Sequence, residues 1–257
     1  MIFAGHALSR RIESAEALDA RARAPLHPGS AILEAGGGVA VFVGAESPLT
    51  HAIGIGLDGP VREAELNGIE AFFRSRGAPV SFDLSPMADP GLFEALGSRG
   101  YRITEFNNVL VKPLAGVEIV FTPRVRRAIA GEDDLWSHVL GEGFFEKAEL
   151  THEEMDIGRD LFRMPGAMCY LASVDGQAAA GAALTIRGGL ATLCADGTIA
   201  RFRHLGLQRE LIAARLNEAV AQRCDLATAS ALPGSQSQRN YERMGFAVAY
   251  TKLTLAG

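Results

Sequence analysis

A segment between a predicted strand and a predicted helix carries groups that could bind a phosphate. It runs from Thr198 to Gln208 (TIARFRHLGLQ) and places Arg203 and His204 shortly before Gly206. The first amides of a helix have no acceptor within the helix, and the helix dipole is positive at that end. A glycine lets the backbone bend there or approach a ligand. The spacing predicts a phosphate site that needs no metal, with a plain turn bearing solvated arginines as the alternative.

A second segment, PGSQSQRNYERMGF at residues 233–246, places Tyr241 one helical turn before Gly245. Glycine is favoured at a helix C-terminus, where a left-handed conformation is often needed. For a single tyrosine, packing is the simpler explanation. The two segments gain specificity as a pair, because a predicted helix and a predicted strand separate them.

Other reactive side chains form no pattern typical of a metal site or a covalent nucleophile. His138 and His152 are far apart, and His152 begins HEEMD where zinc proteases have HExxH. Cys194 has no accompanying His–Asp pattern, so a buried thiol is expected in place of a nucleophile. We therefore expect no metal.

The composition limits the class of protein. Of 257 residues, 48% are hydrophobic and 21% are charged, which is typical of a globular chain. The 25 basic and 30 acidic residues give a formal charge of −5, which argues against nucleic-acid binding. No run reaches the roughly 18 apolar residues of a membrane span, and no signal peptide is expected. The three cysteines form no CxxC motif, which predicts reduced thiols in a cytoplasmic protein.

Hydrophobic periodicity predicts the elements around both segments. Strands joined by Asp-Gly and Gly-Gly turns indicate antiparallel hairpins. The strongest helix follows the phosphate segment, and its apolar stripe consists of Leu211, Ile212, Leu216, Ala219 and Val220. The second half should contain helices at 132–145, 152–163, 208–223 and 235–244, and strands at 167–174, 178–187, 190–198, 225–232 and 246–255.

The first half repeats this order, which indicates an internal duplication. Each half has a strand, a helix, a strand that ends in a proline, a short helix, and a Gly–aromatic pair that opens a last strand. We expect two domains, at residues 1–115 and 116–257. The first should contain strands within 31–44 and at 51–57, 79–84 and 101–111, and helices at 62–76 and 89–98.

Taken together, the two segments resemble the motifs of the GNAT acetyltransferase superfamily. The phosphate motif of that family reads Gln or Arg, two residues, Gly, one residue, then Gly or Ala. Arg203 and Gly206 match it, and Gln208 replaces the last small residue. The later signature, Tyr, three residues, Gly-Phe, is matched fully at 241–246.

The sequence also departs from the family in places. Ala200 stands where a proline is frequent, and Gly234 where an asparagine is frequent. Gln208 is tolerated at a helix N-terminus if its side chain points outward. The resemblance covers about residues 124–255. It implies an α/β (α+β) fold of two GNAT-like domains, each a mixed, mostly antiparallel sheet flanked by helices.

The resemblance implies that acetyl-CoA binds as co-substrate at the first segment. The backbone of Thr198 and Ile199 would pair with the pantetheine amides, and the strand at 225–232 would splay away to admit the thioester. Asn240 would contribute to the same site. The residues of the turn that would hold the pyrophosphate are Arg203, His204, Leu205, Gly206, Leu207, Gln208 and Arg209.

The resemblance also implies N-acetyl transfer, in which an amine of a small molecule or peptide attacks directly in a ternary complex. The family tyrosine protonates the departing sulfur, and Tyr241 holds its position. A protonated amine also needs a base or a water chain. Glu142, Glu146 and Asp196 are the candidates, with solvated carboxylates as the alternative for each. The sequence fixes neither the acceptor nor the oligomeric state, for which a homodimer is one option.

The first half lacks both motifs. Leu96 aligns with Tyr241, and the loop GLDGP at 56–60 brings Asp58 near the helix start. A negative charge there would oppose a pyrophosphate. We therefore expect residues 1–115 to be a degenerate copy that is structural or borders the acceptor site. The alternatives for the whole chain are a non-catalytic acyl-CoA-binding or regulatory module and a structural or interaction protein.

Overall fold

A computed structural model describes residues 4–257, and the chain divides into two compact units. The first unit contains the residues up to Val109 together with Val248–Gly257, and the second contains Leu110–Ala247. The last strand of the chain therefore belongs to the first unit. The boundary expected between residues 115 and 116 lies shortly after this change of unit, and separate functional domains stay a prediction.

The helices and strands follow one another in a regular order. Up to the change of unit they are α1 (His6–Arg23), β1 (Ala31–Ala35), β2 (Gly38–Phe42), β3 (His51–Ile53), α2 (Glu63–Arg74), β4 (Ser81–Leu84), α3 (Pro90–Ser98) and β5 (Arg102–Pro113). After it they are β6 (Val125–Arg127), α4 (Asp133–Phe145), α5 (His152–Arg163), β7 (Met168–Val174), β8 (Gln177–Arg187), β9 (Leu190–Thr198), α6 (Leu207–Ala221), β10 (Leu226–Ala231), α7 (Gln236–Arg243) and β11 (Ala247–Ala256).

The first unit is built on a mixed sheet with the strand order β1-β2-β3-β4-β11-β5. The pairs β1–β2, β2–β3 and β4–β11 are antiparallel, and β3–β4 is parallel. Leu66, Ile69 and Phe73 on one face of α2 are buried with Phe82 and Leu84 of β4. This helical spacing of apolar residues holds α2 against the sheet.

The second unit has the strand order β5-β10-β9-β8-β7-β6, to which β5 contributes its last residues. The pairs from β6 to β9 are antiparallel, and β9–β10 is parallel. The predicted stripe of α6 is buried in the core, except that Val220 is half-buried. Both units thus have antiparallel strands, three in the first and four in the second, followed by a helix and a parallel strand, as an internal duplication with one added strand would give.

The structure differs from the predicted elements in three places. Helix α1 and strand β6 are additional, and β3 ends at Ile53, well before the expected Leu57. The strand stops there because Gly54 has a φ of +72° and leaves the extended conformation. None of the helices within residues 4–257 is both long enough and apolar enough to cross a membrane.

Candidate functional site

The start of helix α6 forms a turn with open backbone amides. Gly206 precedes the helix with a φ of +79°, His204 has a φ of +65°, and no side chain caps the helix. Across the described chain, the N–H groups of residues 204–209 donate to no protein acceptor. Open amides at the positive end of a 15-residue helix can bind an anion.

The guanidinium of Arg203 is engaged on α4. Its Nη2 lies 2.8 Å from the carboxylate of Glu146 and donates to the Gly143 carbonyl at 3.3 Å, and its Nε donates to the Thr198 carbonyl at 3.3 Å. These contacts fasten the residues before the turn to the C-terminal end of α4. The charge of Arg203 is therefore already paired.

Arg124 places a second positive charge beside the turn. Its Nη2 donates to the Leu205 carbonyl at 2.9 Å, and a Cβ placed on Gly206 would lie 3.8 Å from the same nitrogen. Arg124 also forms an ion pair with Glu210 in the first turn of α6, so its charge, like that of Arg203, is already paired. Because Arg124 is far from the turn in sequence, spacing alone gives no signal for this contact.

Gln208, which departs from the family motif, connects the turn to helix α7. Its Nε2 donates to the Ser237 hydroxyl at 3.2 Å, and its Oε1 accepts from Asn240 Nδ2 at 2.5 Å. The half-buried side chain is thus bonded to α7 and does not simply point outward. The substitution leaves the backbone amides of the turn open.

Strands β9 and β10 separate next to this turn. Their parallel pairing ends at Leu193↔Ala229, although β9 continues to Thr198. Among the described strands, none pairs with residues 194–198 on the side that β10 occupies earlier. In place of a strand, side chains reach this edge: the Cys194 carbonyl accepts from Arg215 at 3.2 Å and the Thr198 carbonyl from Arg203 at 3.3 Å. Ile199 follows directly and leads into the turn, so the cleft and the open amides are continuous.

A β-bulge lies in this unpaired stretch. The register of β8 and β9 shifts between Gly181 and Ala183, so two residues, Ala195 and Asp196, stand opposite one. Ala195 has a φ of +54°. A bulge re-aims the side chain beside it, and Asp196 reaches α7, where it accepts the hydroxyl of Tyr241 at 2.5 Å.

Asp196 is also paired with Arg215 of α6, which the sequence analysis missed. Nη2 of Arg215 donates to Oδ1 of Asp196, and Tyr241 donates to Oδ2. Arg215 and Tyr241 have no exposed surface. Arg215 lies four residues after Leu211, on the buried stripe of α6. A charged residue on an apolar stripe is the sequence signal that could have revealed it.

Asp196, Arg215 and Tyr241 form a hydrogen-bonded trio, and its electrostatics keep a proton on the phenol of Tyr241. Burial raises the pKa of Tyr241 well above its usual value; the Arg215 guanidinium opposes this effect and the Asp196 carboxylate adds to it. Burial alone would lower the pKa of Arg215, but Asp196, together with Tyr241 and Cys194, more than offsets this and the net pKa is raised. At neutral pH the trio therefore contains a protonated phenol and a fixed cation.

The other two candidate bases have different partners. Glu142 accepts from Arg201 at 2.9 Å, and Glu146 pairs with Arg203. Asp196 is thus the candidate carboxylate in contact with Tyr241. Within residues 4–257, no three His, Cys, Asp or Glu side chains are grouped as ligands of a metal.

The corresponding helix of the first unit, α2, has a closed N-terminus. Glu65 in its first turn accepts the N–H of Arg62 at 2.9 Å and that of Gly36 at 3.3 Å. Asp58 in the preceding loop pairs with Arg10 at 2.6 Å. Both carboxylates are ion-paired, Glu65 with Arg62 at 3.0 Å, so the difference from α6 lies in the N–H groups that Glu65 already takes up. The two units therefore differ at the feature that matters for anion binding.

Comparison with known proteins supports the fold. No protein-family model matches the chain, and no curated protein matches it. A GCN5-related N-acetyltransferase from Kribbella flavida superposes with a TM-score of 0.71 at 22% identity, covering 96% of this chain and 95% of that one. A tandem GNAT protein from the clavulanic acid biosynthesis pathway superposes with a TM-score of 0.59 at 14% identity, covering 99% and 94%.

A third structure, a GCN5-related N-acetyltransferase from Sphaerobacter thermophilus, gives a TM-score of 0.58 at 12% identity, covering 89% of this chain and 75% of that one. At such identities the likeness concerns the fold. It extends over nearly the whole chain and therefore covers both units.

Proposed function

From the GNAT fold of this chain and the geometry of its second unit, we propose that it is an acetyl-CoA-dependent N-acetyltransferase. The observation that carries this proposal is the uncapped start of α6, which lies at the end of the cleft between β9 and β10. A long anionic co-substrate needs both an anion site and an open strand edge, and here one leads into the other.

The residues present fit acetyl-CoA. The open amides of residues 204–209, with Arg124 beside them, would hold the pyrophosphate, while the backbone of Thr198 would face the pantetheine. Ile199, which the sequence also predicts for this contact, has both backbone groups engaged: its N–H donates to Ala179 at 3.0 Å and its carbonyl accepts from Phe202 at 2.9 Å. Asn240 would act through its bond to Gln208. When bound, acetyl-CoA supplies the acetyl group as an activated thioester.

Tyr241 and Asp196 are the proposed acid and base, with Glu142 as a second candidate base. The phenol retains its proton at neutral pH and can therefore protonate a departing thiolate. The proposed acceptor is an amine of a small molecule or peptide. Because the three cysteines form no disulfide, we assign the protein to the cytoplasm.

One observation favours a second candidate function, a non-catalytic acyl-CoA-binding module. The hydroxyl of Tyr241 is fully buried and already hydrogen-bonded to Asp196. In such a module the phenol would only stabilise the fold. Turnover over a panel of amines separates the two functions.

Two measurements test the proposal. The first is calorimetric titration of acetyl-CoA into the wild type and into Gly206→Glu. The added carboxylate would face the diphosphate, and we expect affinity to fall about tenfold or more. The second is thiol release from acetyl-CoA with a panel of amino acids, polyamines, aminoglycosides and peptides.

Gly176→Glu is the matched control. Gly176 has the same φ of +79°, and a Cβ there meets nothing within 4 Å, so both variants carry equal backbone strain. We expect Gly176→Glu to bind acetyl-CoA like the wild type. Equal affinities in the two variants would remove the turn from the argument, and binding without thiol release for any amine would favour the second candidate function.

A further inference from the structure

A strand-like segment at residues 117–122 (VEIVFT) runs beside helix α6 in the second unit and contains no helix or turn. The side-chain amide of Asn217 on α6 bonds to a single residue of it. Its Oδ1 accepts the N–H of Val120 at 3.0 Å, and its Nδ2 donates to the Val120 carbonyl at 2.7 Å. In an extended chain the N–H and C=O of one residue point to the same side. The chain is therefore extended at Val120, and Asn217 takes the place of a neighbouring strand.

The opposite edge of this segment has no partner. Because successive residues of an extended chain direct their backbone groups to opposite sides, those of Ile119 and Phe121 face away from Asn217. Across the described chain, these N–H and carbonyl groups form no hydrogen bond. The side chains are also exposed, by 64% at Ile119, 50% at Val120 and 86% at Phe121. An unpaired edge with adjacent exposed apolar side chains is typical of a surface that pairs with another strand.

We propose that this edge joins two copies of the chain through an antiparallel pair of these segments, with a twofold axis between the two Val120 residues. In this arrangement Ile119 exchanges both of its backbone hydrogen bonds with Phe121 of the second copy, and the symmetry repeats the exchange. Both open edges are then closed. The proposed contact is independent of the acetyl transfer proposed above.

The neighbouring residues allow this register and disfavour the adjacent ones. A shift by two residues in one direction would set Ile119 opposite Pro123, which has no N–H to donate. A shift in the other direction would use Val117, whose N–H already bonds to the Leu114 carbonyl at 3.2 Å. A shift by one residue would use Val120, whose backbone groups are already bonded.

The side chains favour the same pairing. On one face Ile119 lies opposite Phe121 of the second copy, and on the other face the two Val120 side chains lie opposite each other. Such pairs of β-branched and aromatic residues stabilise a sheet. Glu118 lies opposite Thr122 of the second copy, so no like charges meet. A second copy therefore matches this edge in hydrogen bonding, in apolar side chains and in charge.

Sedimentation velocity over a concentration series measures the association. Because the contact is short, we expect a reversible dimer with a dissociation constant in the micromolar range. Phe121→Lys places a charge in the contact once from each copy, and the dissociation constant should rise about tenfold or more. The side chain is 86% exposed, so the monomer should fold as the wild type does.

Ile103→Lys is the matched control. Ile103 is another exposed apolar residue, at 50%, and it lies on β5 in the first unit. This variant gains the same charge away from the proposed contact and should associate like the wild type. An equal loss of association in both variants would show that net charge, and not the edge at Phe121, is responsible.

Disulfide cross-linking tests the register. Opposite residues of an antiparallel pair that share no hydrogen bond have Cα atoms about 4.5 Å apart, within the range of a disulfide. Val120→Cys should therefore form a covalent dimer on mild oxidation. In Ile119→Cys the two new thiols lie on diagonal neighbours about 7–8 Å apart, too far for a disulfide. The wild type gives the background of its own cysteines, which are buried or half-buried.

Several results would overturn this proposal. A wild type that stays monomeric over the whole concentration series would leave the edge to an extended peptide of a different protein. Unchanged association in Phe121→Lys would place the contact elsewhere on the chain. A covalent dimer that forms as readily in Ile119→Cys as in Val120→Cys would exclude the twofold register.

Discussion

At the scale of single residues, Gln208 shows how neighbouring elements absorb a departure from a binding motif. A small residue is usual at this place in the motif that the sequence resembles, and the glutamine here bonds to Ser237 and Asn240 of α7. The amides that would hold a pyrophosphate belong to the backbone and stay open. The side chain therefore has a separate task, which is to hold α7, and with it Tyr241, against the start of α6.

This assignment predicts different effects of Gln208→Ala on binding and on turnover. Removing two side-chain bonds should loosen α7, so we expect kcat to fall about tenfold, as the loss of one to two hydrogen bonds would give. The acetyl-CoA Kd should stay within about threefold of the wild type. Titration calorimetry and thiol release measure the two quantities.

Gln222→Ala provides the control, because this glutamine bonds to Glu218 at 2.7 Å near the other end of the same helix. Its kcat should match the wild type. A loss of affinity without a loss of kcat in Gln208→Ala would assign the side chain to the phosphate site and not to α7.

At the scale of elements, buried charges join helix α1 to strand β11 within the first unit. Lys252 lies 3.0 Å from Glu13 and also pairs with Glu16, while Tyr250 donates to Glu13 at 2.7 Å. Burial raises the pKa of Glu13 to about 7; Lys252 opposes this effect and Glu16 adds to it. Removing one partner of a buried ion pair typically lowers the free energy of unfolding by about 3–5 kcal/mol. The network therefore fixes how these two elements join.

The raised pKa of Glu13 predicts a pH dependence of stability. An ordinary glutamate loses its proton near pH 4.5, whereas folded Glu13 keeps it to about pH 7. Between these values the folded state binds more protons than the unfolded state. The free energy of unfolding of the first unit should therefore fall as pH rises through this window. Glu13→Gln cannot titrate and should lack that fall.

Hydrogen-exchange protection factors of α1 and β11 peptides measure this effect across the window. Fluorescence would not, because the single tryptophan, Trp136, lies in the second unit. Glu63→Gln is the control, since Glu63 is 85% exposed on α2 and should keep the wild-type dependence. The same dependence in Glu13→Gln would show that another group causes it.

Most elements could be predicted because their apolar residues recur at helical or strand spacing. Helix α1 could not, because its buried face consists of small and polar residues such as Ser9, Glu13 and Ala17 around Ile12. Its place depends on the charge network with β11, which is distant in sequence. Periodicity detects an apolar face and gives no signal for a polar one.

The same limit applies to the site. The turn before α6 and the position of Tyr241 follow from the spacing within two short segments. Arg124 and Arg215 do not, since the sheet and the packing of α6 bring them to the turn and to Asp196. The contact between Asp196 and Tyr241 likewise depends on a bulge, and no alternation pattern marks a bulge.

At the scale of the whole molecule, the two units should differ in ligand binding. Helix α6 of the second unit has no side-chain cap at its N-terminus, whereas the corresponding helix of the first unit, α2, is capped by Glu65. We therefore expect one acetyl-CoA per chain in a calorimetric titration. In Gly206→Glu the affinity for acetyl-CoA should fall, and no second binding site should appear. Two sites of similar affinity in the wild type would contradict the degenerate role of the first unit.

The placement of β11 in the first unit governs how the nascent chain matures. On the ribosome, α1 to β5 emerge first, yet the strand that lies between β4 and β5 is translated only after the whole second unit. Until then both strands present open edges, which invite aggregation. A product that terminates before residue 248 would carry an intact turn and trio but an unfinished first unit. Its open edges would distinguish it from the complete chain, because the last strand is needed to close the sheet of the first unit.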